Sequence, residues 1–280
     1  MNDTLGDLIK SYENTDQFDQ TMPVIVRLDG KAFHTVTNGM QRPFCMKFTE
    51  WMHNITKYLV ERTDAVVGYT QSDEITLILF SDNPKRELYF GGRIQKLCSV
   101  LASMATMRAL NYRHLLPEIA RNRDIMFDCR AFQVPTTQLA TLCVLWRVQD
   151  AYRNAVNSVS QANFSHKQLM QKNSNDKLEM LREVGVELEQ FSTYNLYGTL
   201  FKRTVIEQKF DADEIEQLPE KHHARLNPDL LVKRSAVIAH AVPNNTHDSL
   251  DFLHRFIFGK QAYTQCSAQQ HQELIERGFP

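Results

Sequence analysis

Val24-Ile-Val-Arg-Leu-Asp-Gly-Lys-Ala-Phe-His34 decides the fold. An apolar, β-branched run stops abruptly at Asp29-Gly30, a carboxylate followed by a residue with no side chain, so a strand delivers an acid to its own C-terminal edge. A second stretch, Gly68-Tyr-Thr-Gln-Ser-Asp-Glu-Ile-Thr-Leu-Ile-Leu-Phe80, answers it. Residues 65–70 and 75–80 predict two strands, and Gln71-Ser-Asp-Glu74 between them has a hairpin's length and turn-forming residues. Between the two stretches, Phe48, Met52, Ile55 and Leu59 recur at helical spacing. Residues 44–61 therefore predict a helix, and the unit is β-α-β-β.

A strand joined to a hairpin through a crossover helix commonly lies beside it in one sheet, which can bring Asp29 close to Asp73. Two carboxylates at neighbouring strand ends make a site for a pair of Mg2+ ions, which prefer oxygen ligands and are completed by waters and substrate phosphates. The Gly30 carbonyl can add a main-chain ligand. Such a pair of ions orients a nucleophilic oxygen and neutralises a leaving group in phosphoryl or nucleotidyl transfer. Adjacent strand residues point to opposite faces, so unless the turn twists only one of Asp73 and Glu74 aims at the metals, and Asp73 is favoured. Taken alone, an Asp-Gly pair after a strand or a Ser-Asp-Glu tip is ordinary turn chemistry. Their joint occurrence around a crossover helix is what points to a site.

Outward from this unit, residues 85–112 predict a second long helix, with Phe90, Ile94, Leu97, Leu101 and Met104 on a 3.6-residue period. Arg93 and Lys96 lie three apart on it and can grip one phosphate together, or serve as two solvated bases. A strand at 125–134 ends at Pro135, and Thr136 or Thr137 can cap the next helix. Together these elements form β-α-β-β-α-β, the ferredoxin-like arrangement of polymerase palms and nucleotide cyclases, in the α+β class. Beyond it, Asp150, Arg153, Asn154 and Asn157 crowd the helix that starts at Thr137, as a site wall or as an exposed face. Ser165 and Gln168 have capping-box spacing, and Asn173 or Ser174 can cap a further helix that Gly185 ends. Residues 197–206 predict a late strand, 207–235 a polar, loop-rich stretch and 249–258 a short helix. A short helix is also expected at 5–12. The organisation expected is a palm-like catalytic core at 1–135 and a helical and small β extension at 136–280, which could form one continuous domain.

The net charge of −1 over 280 residues argues against a wholly basic nucleic-acid coat but leaves room for local patches such as Lys202-Arg203. No run of about 18 apolar residues occurs and the start lacks a signal peptide's pattern, so a cytoplasmic protein with no membrane span is expected. The five cysteines are scattered, with no Cys-x-x-Cys pair, which suits reduced thiols.

Arg27-Leu-Asp-Gly-Lys-Ala-Phe-His34 and Tyr69-Thr-Gln-Ser-Asp-Glu74 resemble the two signature motifs of the tRNA-histidine guanylyltransferase family, which adds nucleotides to tRNA 5′ ends in the 3′-to-5′ direction. The likeness continues through Gly92-Arg-Ile-Gln-Lys-Leu97, Phe127-Asp-Cys-Arg-Ala-Phe132 and Trp146-Arg-Val-Gln-Asp150. It implies a nucleotidyltransferase that uses ATP and GTP with two Mg2+ ions, acting as a homotetramer. Asp29, Gly30 and Asp73 would hold the metals, and Glu74 would join Asp29 and Asp73 in the catalytic group. Lys31, Ala32, Phe33, His34 and Ser72, with Arg42, Arg93, Lys96 and Asn154, would contact the nucleotide. Tyr152, Arg153, Lys167, Lys202 and Arg203 would contact tRNA. Tyr152 stands where members that act on tRNA-histidine have a histidine, and the run around it resembles the branch that repairs 5′ ends by Watson-Crick pairing. Three rivals follow from the same residues: a tRNA-histidine guanylyltransferase proper within the family, and, outside it, a nucleotide cyclase or a non-catalytic tRNA-binding protein.

Overall fold

A computed structural model describes residues 4–243 and 250–259. Its centre is a six-stranded antiparallel sheet in the order β4-β1-β3-β2-β5-β6. The first four strands are β1 (Val24–Gly30), β2 (Val67–Gln71), β3 (Glu74–Leu79) and β4 (Phe127–Gln133), and they form the expected ferredoxin-like order. β5 (Thr199–Lys209) and β6 (Leu231–Ala241) extend the same sheet, so residues on both sides of position 135 share one hydrogen-bonded layer.

Alternation along the strands separates the two faces. Val24, Val26 and Leu28 of β1, with Ile75, Leu77 and Leu79 of β3, enter one core, covered by α3 (Met46–Thr63) and α4 (Ile94–Asn111). Ile25, Val67, Tyr69 and Ile78 face the other way, onto α5 (Thr137–Asn163) and α11 (Leu250–Phe258). On α5 the buried Ala140, Val144, Val148, Ala151 and Ala155 form the apolar stripe that seats it on the sheet. The Thr136 hydroxyl accepts from the Leu139 amide at 3.2 Å, the cap expected from sequence. Asn173 caps α7 (Ser174–Glu183) in the same way, and Ser165 with Gln168 closes a capping box on the short α6 (His166–Leu169).

Two expectations shift. The helix predicted at 85–112 begins only at Ile94, because Phe90, Gly91 and Gly92 all take left-handed φ values and break the chain direction. Within the stretch expected to be loop-rich lies the outer end of an eleven-residue ladder, Thr199↔Ala241 to Lys209↔Leu231, whose strands are joined through α9 (Ala212–Gln217) and α10 (His223–Leu226). The strand expected at 197–206 is the inner part of β5, while the outer halves of both ladder strands are polar and largely exposed, so no hydrophobic alternation marked the rest. At the other end, α1 (Thr4–Lys10) covers part of the helix expected at 5–12 and buries no residue. Residues 260–280 of the expected extension lie outside the described residues.

Candidate active site

The Asp29-Gly30 end of β1 lies between two neighbours. Asp29 is directly opposite Glu74 of β3 and Asp128 of β4, and the Gly30 amide donates to the Asp73 carbonyl at 3.2 Å. The crossover thus brings the acids of the two sequence stretches to one edge. Gly30 is obligatory there: a Cβ would sit 2.4 Å from the Phe33 ring. That ring packs among Phe48, Trp51 and Phe127, with centroids 5.1–6.3 Å away. Phe33 is thereby a core residue that shapes the loop, while Lys31, Ala32 and His34 around it are exposed. Ala32 takes a left-handed φ of 54° and opens the single turn α2 (Phe33–Thr37).

Ser72, at a left-handed φ of 48°, makes the tight turn of the β2–β3 hairpin, and its hydroxyl lies 3.0 Å from an Asp73 oxygen. Burial pushes the Asp73 carboxyl above the usual carboxylate range, against the backbone and Ser72 hydrogen bonds, and the charge of Asp29 adds to the rise. Glu74 has a different environment. Its carboxylate accepts from Arg147 Nε at 2.6 Å, with Arg27 Nε at 3.9 Å, and both Glu74 and Arg147 are buried. Burial still raises its pKa, opposed by the two guanidiniums.

Arg147 reaches onward to Asp150 at 2.8 Å, and Asp150 also accepts from Arg153 at 3.0 Å and Asn154 at 3.3 Å. A polar chain therefore runs from Glu74 along two turns of α5 to Asn154. On the outer strand, Arg130 stands 3.7 Å from Asp29 and 3.4 Å from Asp128.

Beside the hairpin tip opens a cavity of about 290 Å³. Arg42, Thr49, His53, Ser72, Asn154 and Asn195 line it, together with Tyr194 from α8 (Thr193–Tyr197). His53 is held by a 2.7 Å contact between its Nε2 and the Thr199 hydroxyl, and burial lowers its pKa to about 4. It presents a neutral imidazole at neutral pH.

The arrangement can hold a divalent cation with the ligands that sequence suggests. Among the described residues no group of three or more His, Cys, Asp or Glu side chains is poised to hold a metal ion. Asp29 and Asp73 with the Gly30 carbonyl are oxygen donors alone, a set that fits Mg2+ when water and phosphate supply the rest. Glu74, neutralised by Arg147, is committed elsewhere.

The other predicted residues divide by location. Arg42, Ser72 and Asn154 line the cavity. Arg93 and Lys96 stand at the start of α4, where Gln17 pairs with Arg93 and Asp19 with Gln133 at the far end of β4. That end of β4 faces Val24, and Val24 to Asp29 spans roughly 17 Å of strand, so one chain does not bring this basic pair to the acids. Lys202 donates to the Phe256 carbonyl and sits over its ring, and Arg203 donates to the Val60 and Glu61 carbonyls near the end of α3 at 3.2 and 3.1 Å. Tyr152 stacks on Tyr197 at 5.4 Å between α5 and α8. Arg153 and Lys167 are exposed. Sequence reasoning passed over Arg147, His53, Asp128 and Arg130. Arg147 carried a signal, since it shares the core period of Val144 and Ala151 on α5 and so needed a buried acid.

A ferredoxin-like sheet between two helical layers, with two acids at neighbouring strand ends and a cavity beside them, fits a nucleotidyltransferase. A family model described as tRNAHis guanylyltransferase matches residues 6–135. A structure titled as a bacterial tRNA(His) guanylyltransferase-like protein in complex with ATP superposes with a TM-score of 0.72 at 28% identity, covering 91% of this chain and 100% of that one. The tRNA(His) guanylyltransferase of Eremothecium gossypii is 26% identical over 213 residues, 70% of this chain and 88% of its own. An uncharacterized protein of Acanthamoeba polyphaga mimivirus is 26% identical over 231 residues, 74% of this chain and 79% of its own. The chain is thus similar to tRNAHis guanylyltransferases over most of its length, and residues 6–135 match their family model.

Proposed function

We propose that this enzyme adds nucleotides to tRNA 5′ ends in the 3′-to-5′ direction, as a template-dependent repair activity. The observation that carries the catalytic assignment is the edge where Asp29 and Asp73 meet, with the cavity opening at Ser72 next to them. In this proposal the cavity takes the base and ribose of a nucleoside triphosphate, ATP or GTP. Arg42 and the exposed Lys31, Ala32 and His34 face its phosphates, and Asn154 and the neutral His53 line its wall. Two Mg2+ ions, when bound by Asp29, Asp73 and the Gly30 carbonyl, would supply charge neutralisation for the triphosphate and polarise the attacking oxygen. The chain's own residues position: Arg147 fixes Glu74, Asp150 fixes Asn154, and Phe33 under Gly30 fixes the height of the loop. The family resemblance orders the steps. ATP activates the 5′-monophosphate as an adenylate with release of pyrophosphate, and the 3′-hydroxyl of an incoming nucleotide then attacks the RNA 5′ phosphorus and displaces AMP.

Template dependence is favoured over strict tRNA-histidine selection by Tyr152, which occupies the family's histidine position and is packed on Tyr197. The test is extension of a tRNA lacking its first 5′ nucleotide, beside full-length tRNA-histidine, with Mg2+, ATP and labelled nucleotides. Repair dictated by the opposing base is the expected result. Addition only to full-length tRNA-histidine would move the enzyme to the guanylyltransferase reading, and cyclisation of ATP or GTP without RNA extension would replace the polymerase assignment. Asp29→Ala and Asp73→Ala should each lower the extension rate by a factor on the order of a thousand or more while the chain remains folded.

A further inference from the structure

Trp146 is the feature that the catalytic assignment leaves unused. It projects from α5 with 46% of its surface exposed, an unusual place for so large an apolar ring. The guanidiniums of Arg27 and Arg147 lie over the ring, 5.4 and 4.5 Å from its centroid. Arg147 is bonded to Glu74, which pairs with Asp29 across β1 and β3, so the ring stands close to the catalytic edge. Nearby, the outer face of β4 presents Asp128, Arg130 and Phe132 to solvent, Arg130 with 58% of its side chain exposed.

Position along α5 gives the ring a direction. Asn154 lines the nucleotide cavity, and Trp146 lies eight residues earlier on the helix, about 12 Å along its axis. Between them stand Arg147 and Asp150, linked to Glu74. The nucleotide cavity and the exposed ring thus flank the acids along the helix. An enzyme that joins a nucleotide to an RNA end needs two such places, one for each reactant. An exposed aromatic ring beside guanidiniums suits the RNA end, since every base offers a π-face and the cations attract its phosphates.

We propose that Trp146 is a stacking platform for the terminal base of the RNA 5′ end, holding it on the side of the acids opposite the nucleotide cavity. This inference rests on the proposed RNA-extending activity and adds a residue to it. Trp146 differs from Trp51, the chain's other tryptophan, which is fully buried, so the red edge of the emission reports mainly on Trp146.

The experiment titrates the native chain with a 5′-monophosphorylated tRNA lacking its first nucleotide, and separately with ATP, following red-edge emission. Extension kinetics are measured in parallel for Trp146→Leu and Trp146→Phe. Quenching by tRNA and not by ATP is expected. Trp146→Leu should raise the KM for tRNA by about tenfold, within the range for loss of one base–aromatic stack, while ATP binding stays unchanged. Trp146→Phe, which keeps an aromatic face, should recover most of that loss. If native protein extends tRNA while the emission is unmoved and Trp146→Leu is as active as native, the platform is wrong and the RNA-extending activity stands. If native protein neither binds nor extends RNA, both fall. A change of mass by light scattering in Trp146→Leu, with RNA kinetics unchanged, would instead make the ring a contact between copies of this chain and overturn the platform. Both variants are checked by circular dichroism, and a Phe variant that is folded but as impaired as Leu also counts against stacking.

Discussion

The two faces of the sheet share an apolar core and part ways toward the Asp29 edge. Toward α3 and α4, β1 and β3 send Val24, Val26, Leu28, Ile75, Leu77 and Leu79 into a dry core closed by Trp51 and Phe33. Toward α5, the same strands offer Ile25 and Ile78 and then, nearer the catalytic edge, Arg27, Glu74 and Asp29. Both faces exclude water over most of their area, and the α5 face also holds buried charge in place with arginines near the catalytic edge. The difference shows why the acids can be placed so firmly on so short a turn: the apolar face fixes the backbone, and the charged face only has to aim side chains.

Removing a partner from the charged face should have the largest effect on stability. Arg147→Ala leaves Glu74 buried without its closest cation and should cost about 3–5 kcal/mol, measured by urea denaturation at pH 7. Replacing both partners, as in Glu74→Gln with Arg147→Met, should recover much of that loss. An equal or larger loss in the double variant would refute the claim that the cost is an orphaned charge. On the apolar face, Leu77→Ala should cost about 2–4 kcal/mol through a cavity. Its dependence on salt should be weak, unlike that of the arginine variant, and a matching salt dependence would blur the distinction between the faces.

The smallest effect concerns His53, at the border between α3 and the nucleotide cavity. Its folded pKa, about 4, lies below the ordinary value of 6.5, so the unfolded chain binds the proton more readily. The stability held by the neutral ring is complete above pH 6.5 and is lost as pH falls toward 4. Between pH 6.5 and 5 native protein should lose roughly 1–2 kcal/mol more than His53→Gln, as followed by denaturation at each pH. Parallel pH curves for the two proteins would mean that the ring is solvated in solution.

Much of this was legible in the sequence wherever the signal was local. The Asp29-Gly30 stop, the turn at Ser72, the apolar period of α3 and the Thr136 and Asn173 caps each depend on residues within a few positions, and backbone geometry leaves few alternatives. The break at Gly91-Gly92 was also local, and the apolar period on both sides of it masked it. The strand at 197–206 was legible, but the outer half of the β5–β6 ladder was hidden because it is solvated, so pairing rather than burial defines it. Arg147 was visible as a charge on a core stripe, yet its partner Glu74 is 73 residues away.

The sequence by itself determined the β-α-β-β-α-β order, the acids at strand ends and the family motifs, because strand alternation, helical period and turn chemistry act over short stretches. Tertiary structure decided what each of those charges does. Register set Asp29 opposite Glu74 and Asp128, packing of α5 assigned Glu74 to Arg147, and the docking of α8 closed the cavity beside Ser72. The physical reason is that a charge's role depends on its distance from other charges and from water, and those distances exist only once remote elements have packed.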